Sequence, residues 1–209
     1  MVSLQTSTGF HFCGGSLISP NEVLTAAHCV EGGGPDQVVI GAHKIISGDD
    51  GDISETIAVS EIFYSASYSS YTLSNDVAVV VLASNSTHDT VPLYGSSGST
   101  PYDYPDLVAS DAPLNVSGWG TLESGGASPD ELMTVQVYAW TNAECNSDDG
   151  YQFSSIDESM LCAGNRYPGE CQDSNCVDSC QGDSGGPLFS TVQTADGPLY
   201  VQVGIVSWG

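Results

Sequence analysis

An all-β fold is what this 209-residue sequence predicts, and three observations carry the expectation. Short runs rich in Val, Ile and Tyr recur between clusters of Gly, Ser and Asp, and several alternate apolar with polar residues as half-buried strands do. Long amphipathic helix patterns are missing. The 24 glycines and 10 prolines supply the turns that many short strands need. Together these point to a barrel or sandwich, in a chain long enough for one large domain or two small ones.

Taken in order, AAHC (26–29) is about one helical turn of small residues. VVIGA (38–42) and TIAVSEIFY (56–64) read as strands, and DVAVVVLA (76–83) is a strongly apolar strand led by an acid. YGSSGSTPYDYPDLVASDAP (94–113) is low in core-formers and rich in turn residues, and it divides the chain near its middle. The expected organisation is a first unit over 1–98, a linker over 99–113 and a second unit over 114–209. LMTVQVYAW (132–140) resumes the strand pattern, Asn142 to Cys145 makes another single helical turn, and LYVQVGIVSW (199–208) is the last strand. No internal repeat stands out.

Composition narrows the function. No apolar run approaches the ~18 residues of a membrane helix. Seven cysteines suit disulfides in an oxidising compartment. The sequons Asn85-Ser86-Thr87 and Asn115-Val116-Ser117 fit secretion weakly, whereas Met1 to Gly9 has neither the charged start nor the apolar stretch of a leader. Acidic residues number 26 against Lys44 and Arg166, a formal net charge of -24. That balance excludes a nucleic-acid binder, which needs basic patches, and argues against anionic membranes. It suits solubility in a salty medium, where screening relieves self-repulsion.

The chemistry concentrates in CVDSCQGDSGGPL (176–188). A hydroxyl is a poor nucleophile near neutrality, so a catalytic Ser needs a contacting base and donors for the developing oxyanion. Glycines around Ser184 let the backbone turn sharply and bring the N–H groups of Gly182 and Ser184 to one point. Read alone, GDSGG fits an ordinary glycine turn equally well. Of the four histidines, His28 lies in LTAAHC beside Cys29, where it is either a base or a structural ring next to a disulfide. Asp76, at the head of an apolar strand, is either a surface strand-start or a buried acceptor.

Six motifs decide among these. FHFCGGSLISPNEVLTAAHCV, NDVAVVVL, VSGWG, MLCAG, CQGDSGGPL and GIVSWG, in this order from about Val2 to Gly209, resemble the trypsin-like (chymotrypsin-fold) serine proteases. The resemblance implies two antiparallel six-stranded β-barrels with a cleft between them. It implies His28 as general base, Asp76 as its orienting acid and Ser184 as nucleophile, with Gly182 and Ser184 N–H groups as the oxyanion hole. Ser207, Trp208 and Gly209 resemble the segment that pairs with the substrate backbone. Asp178, six residues before Ser184, resembles the trypsin branch's pocket carboxylate, and Ser179 its neighbouring hydroxyl; the register set by Cys180 and Ser184 favours this over a surface acid. His11 resembles a non-catalytic His, and His43 and His88 match no motif and are read as surface residues.

The implied function is a secreted, monomeric endopeptidase cutting protein or peptide substrates after Lys or Arg, bound by proteinaceous inhibitors and needing no metal or organic cofactor. A chain that cuts after basic residues and has only two of them also avoids autolysis, a second meaning of its composition. The family pairs Cys13 with Cys29 and Cys145 with Cys162; Cys171 and Cys176 are close enough to pair in an insertion. Cys180 is left over, because its family partner lies after SWG. The family's Ile-Val-Gly-Gly start, whose amine pairs with the equivalent of Asp183, and its last strand and helix have no match here. The expectation is therefore a truncated chain, and the alternative function is an inactive fragment or a non-catalytic homologue acting as a binding module.

Overall fold

Strand-forming sequence closes on itself in the first half of the chain. The computed structural model describes residues 1–47, 54–95, 105–123, 125–147, 156–165 and 178–209. Strands β1 (Val2–Gln5), β2 (His11–Ser19), β3 (Glu22–Thr25), β4 (Gln37–Ile40), β5 (Glu55–Tyr64) and β6 (Ala78–Leu82) form a closed antiparallel barrel in the order β1-β2-β3-β6-β5-β4. Closure follows because β1 pairs with β2 on one edge and β4 on the other. Every second residue of β3, β4 and β6 is buried, so Val23, Val38, Val80 and Leu82 join Val2, Leu4 and Ile57 in one core. Cutting Leu4, fully buried, to Ala would cost about 2–5 kcal/mol.

Among the described residues the second half is smaller in core and open. Strands β7 (Pro113–Gly118), β8 (Met133–Trp140), β9 (Cys162–Gly164), β10 (Pro187–Thr194) and β11 (Gly197–Ile205) form a five-stranded antiparallel sheet in the order β11-β10-β7-β8-β9. Its buried cluster is Leu114, Val116, Val137, Ala139 and Leu188. The architecture is thus all-β and built in two halves, as the sequence predicts, with the second barrel incomplete among the described residues. Both single-turn helices are present: a 3₁₀ turn at Ala27–Cys29 and α1 at Asn142–Cys145. A reciprocal cap fixes α1, since Thr141 N donates to Glu144 Oε2 (2.7 Å) and Glu144 N to Thr141 Oγ1 (3.2 Å). Of the expected linker, 99–104 lies outside the described residues, Pro105–Val108 is a 3₁₀ turn and β7 begins at Pro113. Cys171, Cys176, Arg166 and the acidic tract 48–52 also lie outside them.

Asn85 is exposed in the loop after β6, whereas Asn115 is half-buried within β7, paired on both sides. Disulfides join Cys13 to Cys29 and Cys145 to Cys162, as the family pattern implies. The first closes a loop of 16 residues, worth about 3 kcal/mol on loop entropy, and fastens the 3₁₀ turn carrying His28 to β2.

Backbone ties at three places lock the halves together, one of them formed by Tyr94 N to Gln202 O (2.8 Å) and Gln202 N to Pro92 O (2.9 Å). Gly14 N donates to the Ser184 carbonyl (2.7 Å). Further round, residues 43–47 run antiparallel to 130–132: Leu132 N donates to His43 O (2.7 Å) and Ile45 N to Asp130 O (3.1 Å). The Asp130 carboxylate then accepts from Ile46 N, Ser47 N and Ser47 Oγ, and Lys44 Nζ lies 3.4 Å from Glu131 Oε1. A protease needs an extended, unbonded stretch on both sides of the bond it cuts, and this strap denies one at Lys44–Ile45. Asp130→Ala is expected to speed digestion by an added lysine-specific endopeptidase at least several-fold under native conditions, with a product starting at Ile45. Equal rates for the two chains would contradict the strap.

Candidate active site

The 3₁₀ turn after β3 and the loop before β6 bring His28 against Asp76. His28 Nδ1 lies 2.7 Å from Asp76 Oδ2, and His28 N donates to Asp76 Oδ1 at 2.8 Å. A third donor comes from the far half, Ser207 Oγ to Asp76 Oδ2 at 2.5 Å. The Asp76 side chain is only 3% exposed against 26% for His28. Burial opposes ionisation of Asp76, but the donors from the His28 ring, Ser207 and the His28 backbone outweigh it and hold the carboxyl below the usual carboxylate range. A carboxylate that only accepts fixes the proton on Nδ1 and leaves the Nε2 lone pair free to take another.

Ser184 sits in a loop that glycine makes possible. Gly182 (φ 103°) and Gly185 (φ 79°) are left-handed, and a Cβ at Gly185 would lie 2.2 Å from Thr25 Oγ1 and 2.6 Å from Gly14 O. That close approach seats the loop on the first barrel. Gly185 N donates to Val206 O (2.7 Å) and Val206 N to Gly186 O (2.9 Å), which pins the loop to the chain leaving β11, and Gly186 N donates to Asp183 O (2.9 Å) within the loop. Among the described residues the N–H groups of Gly182 and Ser184 have no hydrogen-bond partner, and Ser184 Oγ makes no hydrogen bond to His28. Asp183 turns inward and accepts from Gly120 N (2.8 Å) and Cys180 N (2.9 Å).

Asp178 and Ser179 line a cavity of about 500 Å³ together with Asp76, Ser207, Trp208 and Gly209. Its other walls are apolar residues, among them Met160, Leu161 and Val206, together with the polar Asn75, Glu158 and Ser159. Asp178 still reaches water, yet the surrounding walls desolvate it and push its carboxyl up, a shift only partly offset by bonds from Ser179, whose N–H donates to Oδ1 (2.7 Å). Trp208 packs against the cluster around the Cys145–Cys162 disulfide.

Comparison with known proteins shows the family. The family model described as Trypsin matches residues 1–209. The chain is 37% identical to "Trypsin" of Xenopus laevis over 211 residues, 99% of this chain and 74% of that protein. It is 37% identical to "Trypsin Blo t 3" of Blomia tropicalis, over 100% of this chain and 70% of that protein, and 36% identical to "Trypsin I-P1" of Gallus gallus, over 99% and 72%. The chain belongs to the trypsin family. As a member of that family of serine proteases it is of the hydrolase class, whose members act on protein substrates.

Within the trypsin-family frame, some groups took roles the sequence did not show. Ser207, read as substrate-binding, also holds Asp76. His88 is half-buried, its ring against Gly41, and not a free surface residue; His43 is exposed, though its carbonyl accepts from the buried Trp119 indole (3.1 Å). Cys180 is the free cysteine among the described residues and accepts from Thr121 Oγ1 (2.9 Å). His11 supports the Ser184 loop. Its Nε2 lies 3.1 Å from Gly182 O, a pure acceptor, so Nε2 carries the proton and Nδ1 accepts from Ser3 Oγ (2.8 Å).

Burial pulls the His11 imidazole below its ordinary value, against the opposing effects of the Gly182 carbonyl and the Asp183 charge. The unfolded chain therefore takes this proton first, near the ordinary value of about 6.5. Stability is full above that pH and is lost as pH falls through the lower folded value. The thermal midpoint is expected to drop between about pH 7 and 5, and His11→Gln to flatten that slope. Identical slopes in the two chains would contradict the assignment.

Proposed function

We propose that this chain is a secreted serine endopeptidase that hydrolyses peptide bonds after Lys or Arg through an acyl-enzyme. The observation that carries the reading is the doubly bonded His28–Asp76 pair, facing a glycine loop whose Gly182 and Ser184 N–H groups are unbonded. His28 Nε2 takes the Ser184 proton as Oγ attacks the carbonyl carbon, and the oxyanion receives the two N–H groups. Collapse expels the amine, protonated by His28, and leaves an ester on Ser184; water, deprotonated by His28, then releases the acid. The Ser184–His28 bond need form only with substrate in place, since such bonds are often long without it. Ser207, Trp208 and Gly209 run along the substrate backbone, and Asp178 with Ser179 receives the basic side chain.

In this reading an apolar side chain would leave Asp178 uncompensated, so the pocket rejects it. Proteinaceous inhibitors with a Lys or Arg occupy the same cleft of a monomer. Two disulfides suit an oxidising, extracellular compartment; no helix among the described residues is long and apolar enough to cross a membrane. A second reading, a family member that binds without cutting, draws on Asp183, which has no cation within ion-pair reach among the described residues.

Digestion of a mixed peptide set separates these readings. Products ending in Lys or Arg are expected, with kcat falling by about 10⁶ in Ser184→Ala. Products ending in apolar residues would contradict the pocket assignment, and binding without hydrolysis would favour the second reading. Asp178→Ser is expected to lower kcat/KM on basic substrates by about 10² or more. Affinity for a small amidinium ligand is expected to rise as pH climbs through a value above the ordinary ~3.9 for Asp, because the cation needs the ionised form of a carboxyl pushed up by burial. Affinity independent of pH there would contradict the contact.

A further inference from the structure

The loop that ends in Asp76 is held in a conformation its own sequence does not favour. Leu73 (φ 55°) and Asn75 (φ 56°) are both left-handed, a region that Asn tolerates and Leu resists. Such residues persist where surrounding structure over-determines them. Inside the loop, Leu73 N donates to Ser69 O (2.7 Å), Ser69 N to Ser74 O (3.1 Å) and Val77 N to Asn75 O (2.9 Å), which places Asp76 at the centre of a three-residue turn. These bonds shape the loop but do not fix where it stands relative to the rest of the protein.

Two residues of the second half do that. Ser74 Oγ donates to Asp157 Oδ2 (2.5 Å), and Asn75 N donates to Ser159 Oγ (2.9 Å). Ser159 in turn donates through its hydroxyl (2.6 Å) and its N–H (2.8 Å) to Asp157 Oδ1. The Asp157 carboxylate therefore gathers both fastenings, and the donors from Ser159 and Ser74 hold it below the usual carboxylate range, an ionised acceptor at neutral pH. Its own position is firm. The Asp157 carbonyl accepts from Asn142 Nδ2 in α1 (2.7 Å), Ile156 exchanges two bonds of 2.8 Å with Asn146, and the disulfide of Cys145 closes the unit.

We propose that Asp157, acting with Ser159, is a positioning residue: from the second half it pins the left-handed 73–75 ledge and thereby sets Asp76 against His28. The proposal rests on the reading of Asp76 as the orienting acid. It makes the His28–Asp76 geometry depend on the docking of the two halves on both sides of Asp76, through Ser207 on one and through Asp157 on the other. A merely structural Asp157 would contribute to stability and leave the imidazole's hydrogen bond alone.

The test compares wild type with Asp157→Ala, Asp157→Asn and Ser74→Ala, by steady-state hydrolysis of a small Lys ester and by the low-field proton NMR signal of His28 Nδ1–H. Asn keeps both contacts, because the two hydroxyls can accept as well as donate. Asp157→Ala is expected to lower kcat by about 10- to 10²-fold with KM changed less than about two-fold, as small misplacements of a reacting group do, and to move or abolish the low-field proton. Asp157→Asn is expected to restore both to near wild type, and Ser74→Ala, which removes one hydroxyl should Asp157→Ala fail to fold, to show a smaller loss of the same kind. Wild-type kcat and an unchanged proton in Asp157→Ala or Ser74→Ala, with only a lower melting temperature, would overturn the proposal. If wild type and Ser184→Ala turn over the ester equally, the functional reading fails, and the proton signal alone decides: displaced in Asp157→Ala it sustains the positioning role, unchanged it overturns it.

Discussion

A carboxylate cannot lie buried without donors, and Asp76 gathers its donors from both halves of the protein. Two come from His28, one from its ring and one from its backbone, and the third is the Ser207 hydroxyl beyond β11. Satisfying that one group constrains much else. The 3₁₀ turn must carry His28 at one height, which the Cys13–Cys29 disulfide secures, and the end of β11 must cross the cleft with Ser207 facing back. The Ser184 loop is tied to the same strand end through Gly185 and to β2 through Gly14, so the hydroxyl and the imidazole share supports. The cost of an unpartnered buried charge, several kcal/mol, drives the assembly of this site.

Three further carboxylates show how environment divides one chemical group into several tasks. Asp178 stands in a cavity wall where desolvation raises its carboxyl, so it gains by meeting a cation. Asp183 is turned inward onto the N–H groups of Gly120 and Cys180. Asp130 is half-buried and commits one oxygen to the backbone of residues 46 and 47 and the other to the Ser47 hydroxyl. Under the Lys/Arg reading, the chain offers itself only the bonds after Lys44 and Arg166, and the first of these lies inside the Asp130 strap.

Strand content and the two single helical turns were legible because each has a local signature, whereas the grouping of His28 with Asp76 was legible only through the family resemblance, since each motif alone left its role open. TAAHC supplies a small-residue turn beside a cysteine, TNAE is a capping box, and an acid before VAVVVL marks a carboxylate at a strand head. The open, five-stranded form of the second sheet among the described residues was not marked in its strands, since β7 and β10 carry no pattern that distinguishes a closed barrel from an open one. Ser207 as a donor to Asp76, and Ser74, Asp157 and Ser159 as fastenings of its loop, were invisible for a different reason. Ser and Asp are common turn residues, and in a chain with 26 acids no composition or spacing marks the acid that reaches back to the loop of Asp76. Only tertiary geometry selects it.

The central claim is that His28, oriented by Asp76, activates Ser184 and no other hydroxyl. The most direct measurement is covalent labelling of the purified 209-residue chain with a fluorophosphonate, read by mass spectrometry of the modified peptide. The account predicts one label per chain, located on Ser184 and lost in His28→Ala. An unlabelled chain, or a label spread over other serines and indifferent to His28, would contradict it.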